Sequence, residues 1–286
     1  MSVDTVQRFA ERHNLLVTPI LQSERTAIET LADAFTRVNE DYSKLDIKAL
    51  SDPAIGILLT MLHRYFEHVE AAVVAFVTGN GSSAEVIARA GCEASIALLY
   101  ILAGDRVARL RAYFDHYFSG VDGQVRKWEA EIPKLPVDAQ PLHLRCVQQR
   151  KSSNESMRGA IRQVFGEPTE RWPKKIEDRF SECGLAIDYR TVYARMSSET
   201  HADAEETVRF LLGKLSGDPK ILEQMALETT SFSRYLMYFA VLFFLQASLA
   251  YACSYKLSET QEFLKKGIAE TYGEILNTIP TMGAGI

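Results

Sequence analysis

The chain has 286 residues, 47% hydrophobic and 24% charged, with 16 Gly and 9 Pro, a balance that excludes disordered, collagen-like and low-complexity classes. Its formal charge of −5 gives the chain as a whole no attraction to nucleic acid or anionic lipid. Four cysteines, Cys92, Cys146, Cys183 and Cys253, form no close pair and no zinc spacing, so a reducing cytoplasm is the expected location.

Apolar residues recur at three and four positions along nearly every segment, and almost nothing alternates at two, so the expected fold is all-α. The pattern predicts a single bundle, residues 1–286, of about nine helices. A short helix near Val3 to Arg12 precedes a strong one from Thr18 to Asn39, with Ile20, Leu21, Ile28, Leu31, Ala32 and Phe35 on its apolar face. Ser51-Asp52-Pro53 starts a third, which Gly79-Asn80-Gly81 ends. Ser82 and Glu85 read as a capping box for a helix that bends at Gly104 and continues towards Trp128.

Pro133, Pro136 and Pro141 mark a connection, after which Leu142 to Phe165 reads as a helix with a polar middle. Thr169 is expected to cap a helix over Glu170 to Glu182, and Tyr189 to open another to Leu215. The last two helices run from Pro219 to Tyr255 and from Ser258 to Asn277. Tyr235 to Tyr255 carries no charge and is long enough to span a membrane. Its tyrosines, Gln246, Ser248 and Ser254, and the charged turns ahead of it, point instead to a central core helix surrounded by neighbours, with no membrane partner.

Two spots carry chemistry. Arg89 and Glu93 stand four residues apart on an apolar helix, where an unpaired charge is costly, so they are expected to be buried together. Tyr189, Tyr193, Ser197 and His201 recur every four residues and line one stripe of another helix. Together these six residues are the expected ligand-binding centre, for a small polar or anionic molecule or a partner, or else a cluster that fixes the core, with neither cofactor nor metal. No Glu-x-x-His occurs, which argues against a di-iron bundle, and the helix-face pairs His63 with Glu67 and His201 with Glu205 fall short of a metal site. A homodimer formed by helix packing is expected, because the apolar content exceeds what one bundle readily buries.

Arg-x-x-x-Glu, then Trp172-Pro173, then Tyr-x-x-x-Tyr-x-x-x-Ser-x-x-x-His resembles a bacterial family of helical domains of unknown function, most strongly over Ala71 to Leu215. The resemblance implies an all-helical cytosolic fold and names no reaction. Arg195 followed by His201 also resembles the higher-eukaryote and prokaryote nucleotide-binding helical family, whose signature is Arg, four to six residues, then His. That likeness implies, as the alternative reading, a metal-independent ribonuclease of the toxin or phage-defence type, with Arg195 and His201 catalytic and RNA as partner. Arg8 with His13 and Arg109 with His116 fit the same loose spacing, and a six-residue offset sets Arg195 about 120° around the helix from His201.

Overall fold

A computed structural model of the chain describes residues 4–45, 52–194, 196, 208, 211, 213–215, 217 and 219–278. Among them there is no strand, and the helices are α1 (Thr5–Arg12), α2 (Pro19–Ser23), α3 (Arg25–Lys44), α4 (Ile55–Val77), α5 (Gly81–Leu102), α6 (Arg106–Glu131), α7 (Gln140–Phe165), α8 (Ile176–Glu182), α9 (Ala186–Asp188), α10 (Pro219–Ser254) and α11 (Ser258–Thr278). A 3₁₀ turn, Ile132–Lys134, follows α6, and a π-helical turn, Tyr189–Tyr193, continues α9. The all-α expectation holds, with finer division than nine helices.

Helix α10 is the axis. Every residue from Leu236 to Leu245 is buried, and α10 packs against α5, α11, α4 and α3. Among the described residues it is the one helix long and apolar enough to cross a membrane, and 78% of its most apolar stretch is covered by the protein itself. Helices α4 and α5 cross closely because Gly91 has no side chain: a Cβ there would stand 2.9 Å from Val69 Cγ2. Helices α6 and α7 form a long hairpin with a small core of its own, Val121, Val125, Ile132 and Val147, separate from the main core.

Several boundaries differ from expectation for identifiable reasons. The segment from Thr18 is two helices, because Glu24 leaves helical geometry (φ −97°, ψ 18°) and is buried in an ion pair with Arg234, 2.9 Å away. That break shifts the phase, leaving Ile20 exposed while Leu21, Ile28 and Leu31 are buried. The Ser82–Glu85 capping box does not form; α5 starts at Gly81, and buried Glu85 instead accepts a 2.5 Å hydrogen bond from Ser233 Oγ.

Gly104 marks a full break rather than a bend, and Asp105 caps α6 by accepting from the amides of Val107 and Ala108. The helix expected from Glu170 begins only at Ile176, since Pro173 forces Trp172 away from the helical region and supplies no donor. Ser51 lies outside the described residues, while Asp52 accepts from the Ala54 amide and holds Arg106 and Tyr255. Hydrogen bonding to these groups outweighs burial and lowers the Asp52 carboxyl pKa. Cys253, placed by the sequence in an apolar run, is exposed; Cys92 is buried.

Candidate functional site

The expected polar centre lies where α5, α8 and the π turn meet. Arg89 and Glu93 are successive-turn neighbours on α5, with Arg89 Nε donating to Glu93 Oε1 at 2.9 Å. The same oxygen accepts from the Tyr193 hydroxyl at 2.5 Å, and Arg89 Nη2 donates to that hydroxyl at 3.4 Å. The Arg89 guanidinium also stands over the Tyr193 ring, 5.5 Å from its centroid. Arg89, Glu93 and Tyr193 are therefore linked to one another across two elements 100 residues apart in sequence.

This unit is not deeply buried, which corrects the expectation for Arg89 and Glu93. The Arg89 side chain is 21% exposed and that of Glu93 41%. These exposures place the pair at the edge of the core, with the Glu93 carboxylate partly open to solvent. Burial works against the charged form of Arg89, but its bonds to Tyr193 and Glu93 outweigh it and raise the pKa. Burial, followed by the neighbouring Glu93 carboxylate, pushes the Tyr193 phenol up to about 12.

Tyr189 and Tyr193 stack with ring centroids 5.6 Å apart and planes inclined by 21°. Their backbone is π-helical rather than α-helical: the Ala194 amide donates to the Tyr189 carbonyl, five residues back. Such single widened turns are frequent at functional sites. Phe180 of α8, fully buried, wedges against both tyrosines and against Phe243 of α10, so the turn is pinned to the central helix. Ser197, His201 and Arg195, the other expected site residues, lie outside the described residues.

The structure adds a residue that spacing did not reveal. Arg179 of α8 is largely buried, its Nε is shielded from solvent without a hydrogen-bond partner, and no described carboxylate lies within ion-pair distance. Desolvation lowers its pKa, opposed by the nearby Glu93, Tyr193, Tyr113 and Tyr65. Its guanidinium rests on the Trp172 ring at 5.3 Å, and Trp172 is fixed edge-on by Tyr100 and Tyr113, both 5.1 Å away. This gives Trp172-Pro173 its structural role: the proline keeps the segment ahead of α8 out of the helix, so that the indole can turn inward. The available signal was a bulky aromatic seven residues ahead of an arginine that sits next to Phe180.

Two guanidinium groups therefore face one carboxylate, and that carboxylate is already claimed twice. A site of this composition suits an anion. No group of three or more His, Cys, Asp and Glu side chains poised for a metal occurs among the described residues, and His63 is occupied by Asn39 at 2.6 Å.

The family of unknown function (DUF5677) matches residues 56–218, more than half of the chain, and the chain belongs to it. The match spans α4 through α9 and the π turn, and so contains all the residues of the polar centre. No curated protein and no solved structure matches the chain.

Proposed function

We propose that the protein is a helical binding protein whose polar centre, Arg89, Glu93, Tyr189, Tyr193 and Arg179, takes up a small anionic ligand. The carrying observation is Arg179, a desolvated cation whose Nε has no partner while its one anionic neighbour, Glu93, is held by Arg89 and Tyr193. A buried charge left unpaired costs several kcal/mol, and a bound anion would relieve that cost. Glu93, partly exposed, orients Arg89.

The test uses inorganic phosphate as probe in thermal-shift titrations of the wild type and Arg179→Gln. The reading expects a rise in melting temperature with phosphate that saturates in the wild type and is lost in the variant; no rise in the wild type would remove it. It also expects no RNA cleavage by the wild type. Cleavage abolished by Arg195→Ala and by His201→Ala would replace it with the ribonuclease reading.

A further inference from the structure

Charge is distributed unevenly along this acidic chain. Residues 106–165, the α6–α7 hairpin with its connection, hold eleven Lys and Arg against six Asp and Glu, a net of +5, so the remainder carries −10. Four of the five hairpin cations that have no ion pair among the described residues lie in its distal half, where α6 ends and α7 begins. There Lys134 pairs with Glu131 and Lys151 with Glu129, whereas Arg126, Lys127, Arg145 and Arg150 are exposed and have no ion pair among the described residues. Asp138 is the one acidic side chain in that stretch outside an ion pair.

The outward face of α7 extends this basic end. Its buried side, Val147, Asn154 and Phe165, faces the rest of the hairpin, and Asn154 is tied to the Phe118 carbonyl and to Asp122. Helical geometry places Arg145, Gln149, Ser152, Ser156 and Gln163 on the opposite side, all exposed. These are hydrogen-bond donors of the kind that contact phosphates, and none of them is acidic. At 26 residues, α7 is about 39 Å long, close to one turn of a nucleic-acid duplex.

From this we infer that the α6–α7 hairpin docks on double-helical nucleic acid through the phosphate backbone, without reading sequence. The polyanion matches the unpaired cations in charge. A single strand would call for aromatic platforms, and the outward face of α7 has none. A lipid surface would call for one continuous apolar face. The exposed Leu144 points away from Leu142, and the exposed Leu142, Met157 and Val164, which share a side of α7, are interrupted by the polar Gln149 and Ser153. The inference is independent of the anion site at Arg179, because the two share no residue.

Fluorescence anisotropy with the full chain, a labelled duplex of about 20 base pairs in RNA and DNA forms, and the matching single strand tests it. The expected result is duplex binding that weakens with salt at a slope of about −3 to −4 in log K against log salt, as four neutralised phosphates require. The variant Arg126→Glu/Lys127→Glu/Arg145→Glu/Arg150→Glu should lose at least tenfold in affinity with an unchanged circular-dichroism melt. Charge reversal of the off-hairpin residue Arg64 should change affinity less than twofold. Absent duplex binding at low salt, equal loss from Arg64→Glu, tighter binding of the single strand, or capture by phosphatidylserine vesicles but not by duplex would each overturn it.

Discussion

Arg234 of α10 ties the joint between α2 and α3 to the end of α11, and removing it should unfold the bundle at a markedly lower temperature. Its Nε reaches both oxygens of Glu24, at 2.9 and 3.1 Å, Nη1 donates to Thr278 at 2.8 Å, and Nη2 to Glu274 at 3.0 Å and Tyr238 at 3.3 Å. Glu24 is 2% exposed, so Arg234→Met leaves a carboxylate buried without a cation. A broken buried pair costs about 3–5 kcal/mol, which for a chain of this size corresponds to a fall in Tm on the order of 10 °C. The double variant Arg234→Met/Glu24→Gln should recover part of that loss, because the stranded charge is gone. Differential scanning calorimetry of the two proteins decides it. A single-variant shift under about 3 °C would refute the reasoning, since it would make the network worth no more than a surface contact.

Glu93→Ala, in contrast, should cost only about 1 kcal/mol, because the Arg89–Glu93 pair is open to solvent on the carboxylate side; chemical denaturation measures it, and a loss above about 3 kcal/mol would place the pair in the core. The Tyr193 phenol, raised to about 12, contributes stability that is complete below pH 10 and is lost as pH rises from 10 towards 12. The difference in ultraviolet phenolate absorbance between wild type and Tyr193→Phe should show that late titration. Glu93→Gln should move it back towards the ordinary tyrosine value, and an unmoved titration would mean that the carboxylate has no part in the shift.

The fold was legible where local signals were uncontested. Helix α10 declared itself by its uncharged run, and α7 by its proline entry and Gly166 exit, whose φ of 74° suits glycine. It was illegible where a distant partner overruled the local pattern. Glu24 sits in a good helical sequence, yet a cation 210 residues away draws it into the joint between α2 and α3. Glu85 fits a capping box, yet Ser233 across the core claims it.

The candidate site divides in the same way. The Arg89–Glu93 contact follows from i, i+4 spacing, and the Tyr189–Tyr193 stack from a four-residue repeat that the π turn preserves. The join between them needed the fold. Arg179 was hidden because a charged residue on a short amphipathic helix reads as solvated, and only the packing of Trp172, Tyr100 and Tyr113 removes its water.

The central claim is that Arg179 is kept charged and unpaired for a ligand, against the interest of stability. Replacement of a desolvated, unpaired charge by an apolar side chain of similar length removes a penalty of several kcal/mol, while the lost contact with Trp172 is worth about 1–2 kcal/mol. Arg179→Met, melted in buffer free of phosphate and other multivalent anions, should therefore have a Tm equal to or a few degrees above the wild type. A Tm lowered by several degrees would contradict the account and make Arg179 a structural support of the core.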